Sequence, residues 1–309
     1  MSRTRRARPV YPPSMRPQPR SLLVLALLGL LSGCRRPSGS DGQDAGTRAP
    51  PAPGIQGAVT VKGSDTMVLL GQRWAEHFMQ AHPEAKIQVT GGGSGTGIAA
   101  LINGTTDIAM SSRPIKDTER QQAHQRHPSG PIELPVALDG ITFYVHESNP
   151  VEALTLEQLK AIYLGDLTRW KDVGGKDEPI VVYSRENSSG TYVFVKDEVL
   201  GGEDFTPRAL TLPGTAAVVN AVGLERNGIG YGGAAYAKGV KELKVKKDAA
   251  SEAIAPTPQN IQNGSYPLSR RLYFYLPRQA TGTTRAFLDY VLSPEGQQIA
   301  TTVGYFPVK

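Results

Sequence analysis

The chain has 309 residues, of which 39% are hydrophobic and 20% are charged. This length allows one large domain or two of ordinary size, and the composition suits a packed core, which excludes a disordered polypeptide. The formal charge of +6 does not indicate a nucleic-acid partner, because residues 1–33 hold six arginines and no acid, whereas the remainder balances 28 basic against 28 acidic side chains.

The N-terminal segment 1–33 is predicted to be a secretory signal. Its basic start runs into the apolar stretch LLVLALLGLL, which is too short to span a bilayer of about 30 Å but suits the apolar region of a signal peptide. The following LSGC resembles the lipobox of bacterial lipoproteins, which implies lipidation of Cys34; the alternative is a cleaved signal with an incidental thiol. Met15 is an alternative start that would give a more compact signal.

Residues 34–57 are predicted to form a flexible tether, because they are rich in Pro, Gly, Ser and Ala and show no apolar period. We therefore expect a folded body in the periplasm or on the cell surface, anchored to a bacterial membrane through lipid on Cys34. Cys34 is the only cysteine, so no disulfide can form within the chain.

The first part of the body alternates strands and helices. The stretch AVTVKG predicts a strand, and the spacing of Leu70, Trp74 and Phe78 predicts a helix that Pro83 ends. The stretch KIQVTG predicts a second strand, IAALING a helix after a glycine loop, and DIAMSS a third strand. This β-α-β-α-β order is typical of a parallel sheet with right-handed crossovers.

The second part begins after ELPVALDGITFYVHE, which predicts either a strand pair or one long crossing strand. Helices are predicted at TLEQLKAIYLG and TYVFVKDEVLGG, and strands at IVVYSRE, GIGYGG, VKELKV and RRLYFYLP. The last stretch, TTRAFLDYVLSPEGQQIATTVG, predicts helices interrupted near Ser293-Pro294. Two α/β lobes are favoured over one.

Three stretches combine a strand, a hydroxyl-rich loop and a helix start: GSDTM (63–67), GGGSGTG (91–97) and SRENSSGT (184–191). A helix start exposes about four unpaired backbone N–H groups and carries about half a positive charge, so each stretch is a candidate anion site. For Ser64, Asp65 and Thr66 the alternative is ordinary N-capping. The run of glycines around Ser94 favours a binding role.

Two arginines are candidate anion ligands. Arg185 lies a few residues before Ser189-Gly190-Thr191, and a guanidinium can bind a tetraoxyanion with two hydrogen bonds; the alternative is a surface arginine paired with Glu186. Ser112 and Arg113 end the third predicted strand, where ligands of open α/β sheets collect. The alternative for Arg113 is an ion pair with Asp107 or Glu119.

Enzyme motifs do not fit the glycine loop. A Walker loop has a lysine after its last glycine, where Ile98 follows Gly97 here. A dinucleotide-binding loop has its third glycine where Thr96 stands, and the nucleophile elbow GxSxG also requires a glycine at that position. None of the five histidines lies in these loops to act as a base. A phosphatase would need a metal cluster or covalent nucleophile, so neither catalysis nor a metal or cofactor is expected.

Eight motifs in order resemble the phosphate-binding proteins of bacterial Pst ABC transporters, the PstS family, over nearly all of residues 58–309. They are KGSDTM, TGGGSGTGI, DIAMSSRPIK, TLEQLKAIYLGDLTRWKDVGG, SRENSSGT, IGYGG, YPLSRRLYFY and LSPEGQ. The resemblance implies an α/β, two-lobed class II periplasmic-binding-protein fold. Each lobe would be a mostly parallel sheet flanked by helices, with crossing hinge strands between lobe I (58–138 and 268–309) and lobe II (139–267).

The resemblance implies that an extracytoplasmic lipoprotein binds inorganic phosphate and delivers it to ABC permease subunits, as a monomer. The alternatives are a binder of sulfate, arsenate or molybdate, and a phosphate-sensing or adhesin lipoprotein. Carried over residue by residue, the anion contacts fall on a set of eight residues, with three more as possible contacts. The eight are Thr66, Met67, Ser94, Ser112, Arg185, Ser189, Gly190 and Thr191, and the three are Ser64, Asp65 and Arg113.

One departure from the family bears on selectivity. Well-known members have an aspartate where Ser112 stands, and that carboxylate accepts the proton of hydrogen phosphate. Hydrogen phosphate and sulfate have similar size and charge, but only the former has a proton to donate, so a buried acceptor favours it. We expect Asp65, or a lone pair of Ser112, to supply the acceptor here.

Overall fold

The computed structural model describes residues 55–308. The predicted signal, Cys34, Met15 and residues 34–54 of the predicted tether lie outside the described residues. Within 55–308, none of the helices has both the length and the apolar character that crossing a bilayer requires.

The described residues form a mixed α/β structure. The strands are β1 Gly57–Gly63, β2 Ala85–Thr90, β3 Ile108–Ser111, β4 Ile132–Val145, β5 Ala153–Thr155, β6 Val181–Arg185, β7 Leu210–Leu212, β8 Gly228–Gly233, β9 Lys241–Glu242, β10 Lys244–Lys246 and β11 Ser269–Leu276. The helices are α1 Asp65–Ala81, α2 Ser94–Ile102, α3 Asp117–Arg126, α4 Leu156–Leu164, α5 Gly190–Glu198, α6 Gly214–Leu224, α7 Pro258–Gln262, α8 Gly282–Val291 and α9 Pro294–Val303.

One long strand connects the two ends of the main sheet, whose strand order is β2-β1-β3-β11-β4-β8-β6-β7. Strands β2, β1 and β3 run parallel at one end, as do β8, β6 and β7 at the other. Strand β4 pairs antiparallel with β11 over residues 132–140 and then with β8 over residues 141–145. Of the two predicted forms of this stretch, the single crossing strand is therefore the one observed.

The apolar side chains collect in two large groups, one on each side of this crossing. Trp74 lies in the first with residues of α1, β1, β11 and α8, and we call this part lobe I. Trp170 lies in the second with residues of β4, α4 and β8, and we call this part lobe II. Each indole N–H, which would be costly to bury unpaired, donates to a backbone carbonyl. The lobe boundaries given above stay a prediction.

Local sequence patterns explain most elements but not all of their limits. Helix α1 buries Leu70, Trp74 and Phe78 as their spacing predicts, and it ends at Ala81, because the position before Pro83 disfavours helical geometry. Helix α2 begins at Ser94, four residues before the predicted Ile98, so the second half of the glycine loop is its first turn.

Glu242 in lobe II gives the fold a pH dependence. Its Oε1 atom and the Thr142 hydroxyl are buried without a hydrogen-bond partner among the described residues, and burial raises the pKa of Glu242 from 4.5 to about 7. Folding therefore favours the protonated carboxyl. This stabilisation is complete below the ordinary value of 4.5 and is lost as the pH rises through about 7.

We expect Glu242→Gln to remove that loss, because the amide stays neutral at every pH. Between pH 4.5 and 8 the wild type should lose about 1–2 kcal/mol of unfolding free energy, a value reduced for the partial exposure of the side chain. Urea unfolding across this range measures the difference. Glu252→Gln, at an exposed loop position, is the control and should keep the wild-type slope. A variant at Glu242 that also keeps the slope would contradict the assignment.

Candidate anion-binding site

The starts of three helices and the end of one strand meet at the junction of the lobes. Thr66 lies in the first turn of α1, Ser94 begins α2, Ser112 follows β3, and Thr191 lies in the first turn of α5. All four side chains are buried. The first three come from lobe I and Thr191 from lobe II, so the chain brings together segments that are far apart in sequence.

The hydroxyl groups of these residues contact one another. The oxygens of Thr66 and Thr191 are 2.9 Å apart, and those of Ser94 and Ser112 are 3.2 Å apart. The Ser112 amide also donates to the Ser94 hydroxyl at 3.0 Å. A methyl group placed on Gly190 would lie 2.3 Å from the Ser94 oxygen, 2.7 Å from that of Ser112 and 2.9 Å from the Ser94 Cβ, so a larger residue would force the two segments apart. The lobes are thus in close contact.

Most glycines of the stretch GGGSGTG (91–97), which ends in the first turn of α2, approach protein atoms. A Cβ on Gly97 would lie 2.4 Å from the Lys62 carbonyl oxygen, which lets α2 pack directly on β1. Gly93 has a φ of 90° and its Cβ would lie 2.5 Å from the Ser188 carbonyl oxygen of lobe II, which in turn accepts a hydrogen bond from the Gly95 amide at 2.9 Å. The bare backbone predicted from the glycines therefore serves packing and contact between lobes as well as the site.

Arg185 is the cation of the site and is almost completely buried at the end of β6. One terminal nitrogen donates to the Thr215 hydroxyl at 2.9 Å and the other to Oδ2 of Asp65 at 2.8 Å. Its Nε atom is buried with no hydrogen-bond partner among the described residues. An unpaired buried N–H is costly, so this donor is suited to a ligand. Glu186, its predicted alternative partner, is 4.0 Å away.

Asp65 links the glycine loop to lobe II. Its Oδ1 atom accepts from the Gly92 amide at 2.8 Å, while Oδ2 accepts from Arg185. The backbone oxygen of Asp65 accepts from the Tyr236 hydroxyl at 2.8 Å. A carboxylate has about four acceptor positions, so Asp65 retains capacity for a proton donor.

Ser189, Ser64 and Met67, which were also predicted as anion contacts, each lie at the start of a helix. Ser189 caps α5, where its hydroxyl accepts from the Tyr192 amide at 3.2 Å. Ser64 is buried before α1 and makes no capping bond through its side chain. The Met67 amide donates to the Ser64 carbonyl at 3.0 Å.

Arg113 has the ion pair named as its alternative role. Its two terminal nitrogens donate to the two oxygens of Glu119 at 2.8 and 2.7 Å, and one also donates to the Pro114 carbonyl. Asp107, the other suggested partner, instead accepts from the amide and hydroxyl of Thr60.

A second arginine buried at the lobe junction was missed from the sequence. Arg270 of β11 donates from Nε and Nη2 to Oδ2 of Asp139 of β4, at 3.0 and 2.8 Å. Its Nη2 atom also lies 3.0 Å from the Thr191 hydroxyl oxygen and 3.4 Å from that of Thr66. The available signal was an acid, Asp139, inside the apolar stretch LDGITFYV and two arginines inside SRRLYFY. Each buried arginine at this junction is therefore paired with a carboxylate.

Comparisons with known proteins agree with this architecture. A family model described as a PBP superfamily domain matches residues 47–295. The phosphate-binding protein PstS of Pseudomonas aeruginosa is 36% identical over 274 residues, which cover 83% of this chain and 85% of that protein.

Solved structures extend the likeness to the fold. A phosphate ABC transporter substrate-binding protein from Clostridium perfringens, crystallised with bound phosphate, is 33% identical with a TM-score of 0.74 and covers 82% of this chain and 100% of its own. An ABC-type phosphate transport receptor from Vibrio cholerae is 31% identical with a TM-score of 0.66, covering 80% and 99%. The predicted two-lobed class II fold is confirmed. The chain therefore belongs to the PBP superfamily and, within it, to the PstS family of phosphate-binding proteins.

Proposed function

We propose that this protein captures inorganic phosphate between its two lobes and delivers it to the permease of an ABC transporter. The observation that carries the proposal is the buried Arg185, whose Nε has no partner, beside hydroxyl groups contributed by both lobes. Burying a dianion is costly unless hydrogen-bond donors meet nearly all of its lone pairs. Helix starts, hydroxyls and a guanidinium provide such donors here. The family is one of binding proteins and not of enzymes, so the ligand leaves unchanged.

The proposed phosphate contacts are the eight residues named from the sequence, with Ser64, Asp65 and Arg113 as further candidates. Arg113 is the weakest of these, since its side chain donates to Glu119 and the Pro114 carbonyl and, within residues 55–308, makes no hydrogen bond to Arg185's partners or to the hydroxyls of the site. Isothermal titration calorimetry with phosphate, sulfate, arsenate and molybdate tests the function. We expect phosphate to bind most tightly; tighter binding of sulfate or molybdate would overturn the choice of ligand.

We also propose that the protein acts outside the cytoplasm as a lipid-anchored monomer, held to the membrane through Cys34. The sequence LSGC after an apolar stretch supports this anchor. We expect Cys34→Ser to move the protein from the membrane fraction to the soluble fraction of the host. Mass spectrometry of the wild-type N-terminal peptide should show a diacylglycerol-sized addition on Cys34. An unmodified thiol there would contradict the anchor.

Asp65 is the proposed acceptor of the phosphate proton, because it lies beside Arg185 and retains free lone pairs. Its charge would also repel sulfate, which has no proton to donate. We expect Asp65→Asn to weaken phosphate binding and strengthen sulfate binding, so that the preference for phosphate falls by about 10- to 100-fold. Competitive calorimetry with both anions measures the ratio.

A matched control is Asp117→Asn, which changes an exposed acid at the first residue of another helix, α3. It should leave both affinities near their wild-type values. An unchanged ratio in Asp65→Asn would exclude Asp65 from this role and leave the Ser112 hydroxyl as the acceptor.

A further inference from the structure

Arg270 and Asp139 form an ion pair at the crossing of the two lobes. They are register partners on the antiparallel strands β11 and β4, and their side chains are 4% and 1% exposed. A buried ion pair contributes little stability, because the cost of removing two charges from water is about as large as their attraction. Stability alone therefore does not account for this pair.

The guanidinium of Arg270 contacts both lobes. In lobe I, Nη1 donates to the Ser112 carbonyl at 2.9 Å and Nη2 lies 3.4 Å from the Thr66 hydroxyl. In lobe II, Nη2 donates to the Thr191 hydroxyl at 3.0 Å, and the guanidinium carbon lies 5.3 Å from the centre of the Phe194 ring. One side chain thus links three of the segments that form the candidate phosphate site.

These contacts determine how the threonine hydroxyls can be used. A guanidinium can only donate hydrogen bonds, and Nη2 has two protons, one of which is donated to Asp139. The Thr191 hydroxyl at 3.0 Å therefore accepts the other, and the Thr66 hydroxyl at 3.4 Å at most shares it. The two hydroxyls are also 2.9 Å apart, and one of their two protons is used in that contact. The other proton remains free to be donated to an anion.

The two arginines buried at the lobe junction differ in which of their donors remain free. The Nε atom of Arg185 has no partner, which suits direct contact with the ligand. By contrast, Nε, Nη1 and Nη2 of Arg270 each have an acceptor within the protein. Arg270 is therefore placed to act through the hydroxyl groups.

We propose that Arg270 is a positioning residue of the phosphate site: held by Asp139, it fixes the hydroxyls of Thr66 and Thr191 so that their one free proton points toward the bound anion, and it links the lobes when they close. This rests on the phosphate capture proposed above. The positive charge of Arg270 also adds attraction for the dianion in a site from which water is excluded.

The first test compares Arg270→Met and Arg270→Lys with the control Arg271→Met, which removes the exposed arginine next in the chain. Calorimetry with inorganic phosphate should show about 30-fold weaker binding for Arg270→Met, as for loss of a charge-assisted hydrogen bond. Arg270→Lys should show a smaller loss, because lysine keeps the charge but not the planar fork. The control should stay within about twofold of the wild type, as expected for an exposed side chain.

The second test separates positioning from a purely structural role. If Arg270 acts through Thr191, then Arg270→Met introduced into Thr191→Val should weaken binding further by only about threefold, because the hydroxyl it orients is already gone. A structural role would instead give independent effects that multiply. Multiplying effects, or wild-type affinity in Arg270→Met, would overturn the proposal.

If circular dichroism shows that Arg270→Met does not fold, the phosphate affinity of Arg270→Lys is measured instead, both as a single variant and combined with Thr191→Val. Wild-type affinity in the lysine variant would then overturn the positioning role. If neither the wild type nor Arg271→Met binds phosphate, the proposed function itself is wrong, which is a different result from a failure at Arg270.

Discussion

Arg185→Ala is expected to weaken phosphate binding by about 4 kcal/mol, or about a thousandfold. The substitution removes the unpaired Nε donor and a buried positive charge. It also leaves the carboxylate of Asp65 without its partner and facing an anion, so the loss should exceed that of a single charge-assisted hydrogen bond. Calorimetry with phosphate measures the change directly.

Two further variants show where the loss comes from. Arg208→Ala removes an exposed arginine of the same lobe and should bind phosphate as the wild type does. Adding Asp65→Asn to Arg185→Ala should recover part of the affinity for sulfate, which has no proton for the carboxylate to accept, because it removes the uncompensated negative charge. Near-wild-type affinity in Arg185→Ala alone would refute the placement of this side chain against the ligand.

Gly190→Ala is expected to weaken phosphate binding by about a hundredfold, about 3 kcal/mol, as for overpacking of a close interior contact. The new methyl group would lie 2.3 Å from the Ser94 hydroxyl oxygen across the junction, so the lobes would have to separate. Alanine is a better helix former than glycine at the start of α5, so the helix itself should not be destabilised. Calorimetry measures affinity, and small-angle X-ray scattering measures whether phosphate still reduces the radius of gyration.

Gly223→Ala in α6 is the matched control, because its new Cβ would lie 3.3 Å from the Gly239 carbonyl oxygen of the same lobe and would contact nothing across the junction. It should bind phosphate and close as the wild type does. Wild-type affinity in Gly190→Ala, with a normal change in the radius of gyration, would show that the two lobes do not meet at this glycine when phosphate is bound.

Much of the fold was predictable because it depends on local patterns. The spacing of Leu70, Trp74 and Phe78 is a property of the sequence, and these side chains are buried as a helix requires. Helix α6 was not predicted, since its stretch GTAAVVNAVGL contains glycines and β-branched residues with weak helical preference. It is helical because Val218, Val219 and Val222 pack against Tyr144 of β4. The helical conformation of α6 therefore depends on packing against residues distant in sequence, which a local sequence pattern does not reveal.

For the candidate site as well, some features were predictable from local sequence and others depended on the tertiary structure. The sequence by itself determined which strand ends and helix starts carry hydroxyls and Arg185, because the polar residues follow directly from the limits of the elements. Only the tertiary structure decided that Thr215 and Asp65 hold Arg185, and that Asp139 holds Arg270 beneath Thr66 and Thr191. The physical reason is that a buried charge needs a partner, and the chain supplies that partner from residues up to 131 positions away.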